Sequence, residues 1–124
     1  MKNFISKFVL ALLVGAISFP VHAEQTDWFK GRDRAKIAKQ MKGKLLQEIE
    51  CRDKKTVGLH LARDEFRVTY TDNPEKTRYL WAVGNQFGRY KAYADKNGYK
   101  MVSINQYVRE SGLKIRCAVW HKPS

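Results

Sequence analysis

The sequence KLLQEIECR at positions 44–52 alternates between two sets of side chains. One set consists of Leu45, Gln47, Ile49 and Cys51, and the other of Leu46, Glu48, Glu50 and Arg52. A period of two residues is typical of a β-strand with one buried face. The pattern therefore predicts a strand whose Cys51 side chain points into the core.

A second cysteine occupies the same kind of position near the end of the chain. In residues 113–120, Cys117 shares one face of an alternating pattern with Leu113, Ile115 and Val119. Both cysteines therefore fall on the inward faces of predicted strands, and a disulfide between Cys51 and Cys117 would join the beginning of a sheet to its end. Two buried free thiols are the alternative.

Alternating residues continue between these segments. They predict strands at 57–61, 66–71, 79–83 and 101–108, with polar turns at 52–55, 63–65, 72–74 and 110–112. Helical spacing predicts two short helices at 32–42 and 86–97. We therefore expect an α+β fold, in which an antiparallel β-sheet made of a meander and a C-terminal hairpin carries two short helices and one disulfide.

The first 23 residues have the layout of a bacterial export signal. Lys2 and Lys7 precede the apolar run Phe8–Phe19, and Pro20 is followed by Val21-His22-Ala23, which predicts cleavage before Glu24. The apolar run is shorter than the roughly 20 residues that a permanent membrane helix needs, although an uncleaved anchor is the alternative. We expect residues 1–23 to be a cleaved signal peptide and residues 24–124 to be a single small globular domain.

The charge and composition limit the class of protein. The chain has 124 residues, 24 basic and 12 acidic, and a net charge of +12. Cleavage would remove two basic residues and no acidic one, so the predicted mature domain carries +10. A large multi-domain enzyme is excluded by the length, and a disordered basic tail by the hydrophobic fraction of 44%. Export places the domain in the periplasm or outside the cell, without a transmembrane segment, and an oxidising compartment favours the disulfide.

The second half of the chain resembles a unit of the bacterial tandem-repeat domain found in secreted proteins. The residues that carry the resemblance are Phe87, Gly98-Tyr99, Met101-Val102-Ser103, Tyr107, Gly112 and Ala118-Val119-Trp120-His121-Lys122. The family uses arrays, whereas this chain has one copy, and a cysteine stands where an aromatic residue is commoner. The resemblance implies a helix followed by a hairpin and supplies no catalytic residues.

Motifs for catalysis are missing from the sequence. It has no Gly-rich phosphate loop, no Gly-x-Ser-x-Gly and no paired metal-ligand spacing, so we expect no catalytic residues, no metal and no cofactor. The best catalytic pair is His60 with His121, which we place on outward strand positions. With nearby cations they could serve a small secreted ribonuclease, since phosphodiester cleavage needs an acid, a base and a cation. Ordinary solvated histidines are the alternative.

The stretch 30–44 is the most basic part of the chain. It contains Lys30, Arg32, Arg34, Lys36, Lys39, Lys42 and Lys44 against Asp33 alone. Within the predicted first helix, the candidate binding residues are Arg32, Lys36, Lys39 and Lys42. Such a helix could bind an acidic protein, an anionic envelope polymer or nucleic acid. A solvated charged face is the alternative.

A second candidate surface lies on the last predicted strand. Trp120 alternates with Cys117 and Val119, which places it on the outward face, and its neighbours in the sequence are Lys114, Arg116 and Lys122. An outward tryptophan among cations is typical of a binding surface. The alternative is that helices cover both faces of the sheet.

These observations predict a small exported basic protein that is not an enzyme. It would be a bacterial envelope accessory or virulence-associated factor that engages an anionic partner. A periplasmic inhibitor or immunity protein against a toxin or hydrolase is the main alternative, with the turns at 52–55 and 72–77 as inserting loops. A structural module of an envelope assembly and a ribonuclease are further alternatives, and the oligomeric state stays open.

Overall fold

A computed structural model describes residues 23–53 and 64–123 as two antiparallel sheets and two helices. The predicted α+β fold with one disulfide is confirmed. Residues 1–22 of the predicted signal peptide, the predicted strand at 57–61 and His60 lie outside the described residues. Within the described ranges, no helix is long and apolar enough to cross a membrane.

From the first helix onward the described elements follow the predicted order, and two short strands that were not predicted, β1 (Glu24–Gln25) and β2 (Phe29–Lys30), precede them. The other strands are β3 (Lys44–Asp53), β4 (Asp64–Asp72), β5 (Arg78–Val83), β6 (Lys100–Val108) and β7 (Lys114–Lys122). The helices are α1 (Arg34–Gln40) and α2 (Phe87–Lys96), and each follows a single 3-10 turn, at Gly31–Asp33 and Gly84–Gln86. The first helix is shorter than the predicted 32–42, because its first residues form this tighter turn.

The first sheet is built around β4. Strand β3 pairs along one edge of β4, and the short strands β1 and β2 share the other edge. The register of β3 shifts between Leu46 and Glu48, which inserts Gln47 as an extra residue. Because of this bulge, Leu46 is buried rather than Leu45, whereas Ile49 and Cys51 point inward as the alternation predicts.

The second sheet has the strand order β5-β7-β6, so the last strand lies in the middle. Its register also contains a shift, between Met101 and Ser103 of β6. The two sheets approach each other where β3 passes β6, and there the Ile49 amide donates a hydrogen bond to Ser103 Oγ at 3.2 Å. The single predicted sheet is therefore two packed sheets.

The main hydrophobic core lies between the two sheets. The disulfide crosses it from Cys51 of β3 to Cys117 of β7, with a Cα–Cα distance of 6.3 Å. Helix α1 contributes Ile37 to the same core, and Met41, the residue directly after the helix, also lies in it. The other buried members are Phe29, Leu46, Ile49, Phe66, Val68, Trp81, Val83 and Val119.

Helix α2 packs on the outer face of the second sheet. A smaller cluster there consists of Ala82, Ala94, Ala118 and Trp120, with Leu80, Phe87, Tyr90 and Tyr99 packed around it. Trp120 is 1% exposed, and its ring centroid lies 5.9 Å from that of Phe87. The prediction that Trp120 presents an exposed binding surface is therefore wrong. Strand alternation correctly places Trp120 on the face of the sheet opposite to Cys117, but helix α2 covers the face on which Trp120 lies.

Loss of the disulfide is expected to destabilise the domain strongly. The bridge closes a sequence separation of 66 residues, so the double variant Cys51→Ser/Cys117→Ser should lose about 4 kcal/mol of unfolding free energy in the chain-entropy description. Urea denaturation of oxidised wild type, reduced wild type and the double variant measures this. The last two should agree, and a double variant as stable as oxidised protein would contradict the prediction.

Alkaline pH is expected to destabilise the domain through Tyr79. This half-buried side chain packs against the inter-sheet core, and burial raises its phenol pKa above 10.0. The folded state therefore favours the neutral phenol. Its contribution to stability is complete below about pH 10 and is lost as the pH rises through the raised pKa.

The variant Tyr79→Phe should accordingly show a smaller fall in unfolding free energy above about pH 10 than wild type. Tyr70, whose pKa is raised by its hydrogen bond to Glu24, remains in the variant and leaves part of the fall. Urea denaturation at a series of alkaline pH values measures the difference, with Tyr93→Phe at an exposed tyrosine as the control. An identical pH dependence in Tyr79→Phe and wild type would refute the assignment.

Candidate functional site

A cleft with a volume of about 690 Å³ opens beside the amino ends of both helices. Four parts of the chain form its walls: the segment from β2 into α1, the start of β4, the 3-10 turn before α2 with the residue that precedes it, and the β6–β7 hairpin. Its polar lining consists of Lys30, Arg32, Arg34, Asp64, Asn85, Gln86 and Arg109. Phe66, Val83, Leu113 and Ile115 supply apolar surface. We call this the cationic cleft.

Among the described residues, the lining of the cleft contains four basic side chains and a single carboxylate, that of Asp64. This carboxylate is fully engaged. Its Oδ1 accepts hydrogen bonds from the Tyr107 hydroxyl and from Arg109 Nε, and its Oδ2 accepts one from Arg109 Nη2. The same pairing raises the pKa of Arg109 above its ordinary value. The cleft therefore keeps a surplus of positive charge after this ion pair is counted.

Arg34, the first residue of α1, is held in place by aromatic rings. Its guanidinium carbon lies 4.2 Å from the Trp81 ring centroid and 5.5 Å from that of Tyr90. Its Nη2 donates a hydrogen bond to the Trp81 carbonyl. Stacking of this kind fixes a guanidinium more firmly than solvent does.

Two polar atoms in the cleft wall are buried without a hydrogen-bond partner among residues 23–53 and 64–123. They are Arg34 Nε and Gln86 Oε1. Buried polar atoms in folded proteins are nearly always satisfied, so two such atoms in one cleft mark a place where further hydrogen bonds can be made.

The structure divides the predicted basic helix residues between different surroundings. Arg32 lines the cationic cleft. Lys36 borders another hollow, together with Asp27 and Asp33. Lys39 and Lys42 are exposed. All four predicted residues are exposed, and of these four Arg32 lines the cleft.

The cations of the predicted strand surface lie beside aliphatic side chains. Lys114 and Arg116 are exposed on β7, whereas Lys122 is half-buried with its Nζ 5.6 Å from the Tyr99 ring. On the neighbouring strand, Ile104 and Val108 are 51% and 58% exposed. In the register of β6 and β7, Ile104 pairs with Ala118, Val108 with Lys114 and Gln106 with Arg116. Directly paired residues share a face of the sheet, so all these side chains lie on the side of α2.

We call the exposed group Ile104, Val108, Lys114 and Arg116 the outer strand face. Helix α2 packs on β5 and β7 and leaves the adjacent strand β6 uncovered. Sequence reasoning found the two cations but missed Ile104 and Val108. The alternation showed that they share a face and did not show that this face is exposed.

Arg109 and Gln86 of the cationic cleft were also missed. Both lie far along the chain from the basic stretch at 30–44. Only the packing of the β6–β7 hairpin and the turn before α2 brings them to the start of α1. A sequence pattern of charge carries no signal for that approach.

His121 has a structural contact. Its Nε2 lies 2.7 Å from the Leu46 carbonyl, to which it donates a hydrogen bond. The predicted outward position is therefore wrong for His121, because β7 directs its ring toward the first sheet. In the described part of the chain, no group of three or more histidine, cysteine, aspartate or glutamate side chains could hold a metal ion.

The fold and its surface are the basis for proposing a function, because the comparisons with known proteins found no match. No family model matches the chain, and no curated protein or solved structure matches it. The resemblance of the second half to a tandem-repeat unit stays a prediction.

Truncation of Trp120 should reduce stability rather than remove an exposed contact. The side chain is enclosed by α2 and the second sheet, so Trp120→Ala is expected to cost about 3–5 kcal/mol of unfolding free energy. Lys114→Ala, at an exposed position of the same strand, should change it by less than about 0.5 kcal/mol. Urea denaturation compares the two. Equal stability of both variants would show that Trp120 is not part of the core.

Proposed function

We propose that this chain is a small exported basic binding protein, without enzymatic activity, that engages an acidic protein through the outer strand face. It would act in the periplasm or outside the cell as a bacterial envelope accessory or virulence-associated factor. The observation that carries the proposal is the pairing of exposed aliphatic side chains with cations on one rigid sheet. Ile104 and Val108 lie next to Lys114 and Arg116.

The aliphatic side chains favour a protein over an anionic polymer. A polysaccharide, a nucleic acid backbone or a phosphate polymer offers negative charge, which the cations alone would satisfy. Burying Ile104 and Val108 requires an apolar surface on the partner, and each contributes in proportion to the area removed from water. The cations then select acidic partners and speed the encounter.

Export is supported by two independent features. The first 23 residues have the order of a signal peptide. The domain also contains a disulfide between its two cysteines, and such bridges persist in oxidising compartments. Both features support a binding event outside the cytoplasm.

An inhibitor or immunity protein is the second candidate, favoured by the turn between β4 and β5. The Asn73 side chain brackets this turn: its Nδ2 donates to the Thr77 carbonyl and its Oδ1 accepts from the Thr77 amide, both at 2.9 Å. Pro74, Glu75 and Lys76 project from it into solvent. A loop fixed in advance loses little entropy on insertion into a target.

Charge reversal on the outer strand face is expected to weaken partner binding about tenfold or more. The test variant is Lys114→Glu/Arg116→Glu, and Lys39→Glu/Lys42→Glu on α1 is a control with the same change in net charge. Oxidised residues 24–124 of each variant would be used to recover partners from envelope and culture extracts, followed by titration of the purified partner.

Retention of the partner by the α1 control and its loss by the strand variant support the proposal. Equal losses in both variants would indicate binding through net charge alone. Ile104→Ser/Val108→Ser separates the apolar contribution, because it should weaken binding without making it less dependent on salt. An affinity that falls steeply with salt and ignores this change would point to an anionic polymer instead.

A further inference from the structure

We infer that the cationic cleft is a second binding site, which holds one compact oxyanion group, a carboxylate or a phosphate, carried on an apolar stem. This site is separate from the outer strand face and does not depend on the partner proposed for it. The inference starts from the charge of the cleft. Lys30, Arg32 and Arg34 line it together with Arg109, and the one carboxylate that residues 23–53 and 64–123 contribute to its lining is already bonded by Arg109.

The arrangement of the cations favours a compact anion. Lys30, Arg32 and Arg34 belong to the segment that leads into α1, whereas Arg109 lies on the β6–β7 hairpin. The basic side chains thus reach the cleft from two separate parts of the chain and surround it, rather than forming a stripe along the surface. A stripe suits a polymer backbone, and a convergent set suits one charged group.

Arg34 is prepared for such a group. Its guanidinium is stacked on Trp81 and fixed by the Trp81 carbonyl before any ligand arrives. Less side-chain entropy is therefore lost on binding, and the fixed guanidinium keeps its positive charge for a carboxylate or phosphate.

Two polar atoms of residues in the cleft wall lack a hydrogen-bond partner among the described residues. Arg34 Nε is a buried donor without a partner among the described residues, and Gln86 Oε1 is a buried acceptor in the same state. A half-turn of the Gln86 amide presents its NH2 group instead of the oxygen, because the two ends have nearly the same shape. Both atoms are buried, so they would meet an oxyanion once the Arg34 or Gln86 side chain shifts toward the cleft.

The backbone before α2 also favours a negatively charged ligand. The turn Gly84–Gln86 lies in the cleft wall and leads into the ten-residue helix α2. The first amides of a helix lack intrahelical partners and carry a partial positive charge. The turn depends on glycine at position 84, because φ there is 62° and any side chain would be strained whatever the space around it.

The apolar part of the lining defines the rest of the ligand. Phe66, Val83 and Ile115 line the cleft, and Leu113 stands at the hairpin with 53% of its surface exposed. A volume of about 690 Å³ lies within the range of small-molecule sites. The ligand class is therefore an amphipathic acid or phosphate monoester, either free or as the terminal group of a larger molecule.

Four probes distinguish the contribution of the anionic group from that of the apolar stem. They are inorganic phosphate, hexanoate, hexyl phosphate and hexanol, each titrated into oxidised residues 24–124 while amide NMR shifts are recorded at constant ionic strength. Hexanoate or hexyl phosphate should bind saturably, with shifts at Gly31, Gly84 and Asn85. Inorganic phosphate should bind more weakly than hexyl phosphate, and hexanol should not saturate.

Four variants test the residues. Arg34→Gln and Arg32→Gln are each expected to weaken binding of the anionic probes about tenfold, and Lys39→Gln on the exposed part of α1 should leave it unchanged. Arg32 is exposed, so its variant keeps the test valid if Arg34→Gln fails to fold. Lys114→Glu/Arg116→Glu should also leave probe binding unchanged, which distinguishes this site from the outer strand face.

Two results would overturn the inference. One is the absence of a saturable shift with either amphipathic anion up to about 10 mM. The other is equal weakening by Lys39→Gln and Arg32→Gln, which would mean that the probes respond to net charge.

A further titration distinguishes a free small molecule from the terminal group of a larger molecule. It uses a peptide that ends in leucine with a free carboxyl terminus, and the same peptide with an amidated terminus as the control. Binding of the free acid at least as tight as that of hexanoate indicates a terminal group, and weaker binding indicates a free small molecule.

Discussion

The disulfide between Cys51 and Cys117 is the constraint on which the two-sheet arrangement depends. It ties β3, the edge strand of the first sheet, to β7, the central strand of the second, through the middle of the core. A domain of this size has a small stability margin, and a bridge of about 4 kcal/mol is a large share of it. With the sheets joined at this point, α1 can cover the remaining core with Ile37 and Met41, and the cationic cleft forms where α1 begins.

The exposure of the outer strand face follows from the size of one helix. A helix is about 10 Å across and strands are about 4.8 Å apart, so a single helix covers two strands. Helix α2 lies over β5 and β7, where Ala82 and Ala118 allow a close approach and Trp120 fills the space beside them. The third strand has no helix above it among residues 23–53 and 64–123. Its aliphatic residues Ile104 and Val108 are exposed because α2 does not extend over them.

The sequence predicted the local elements well because the period of hydrophobic residues reports local geometry. Phe66 and Val68 of β4 are buried as their alternation predicts. Alternation also grouped Trp120 with Lys114 and Arg116, but it cannot state which face of a sheet a helix covers, so Trp120 was placed in solvent. The bulge at Gln47 shifted the inward residue from Leu45 to Leu46, and nothing in the local pattern marks it. Arg109 joined the cleft through tertiary packing alone.

One hairpin positions both binding surfaces. Arg109 and Leu113 line the cationic cleft, whereas Val108 and Lys114, their neighbours in the chain, lie on the outer strand face. Successive residues of a strand point to opposite sides, so each surface takes alternate residues from the same two strands. A shift of one residue in one hairpin strand would carry its side chains to the opposite face. The Arg109 amide bonded to the Leu113 carbonyl at 2.9 Å holds the register in place. The two proposed sites are therefore coupled through backbone geometry.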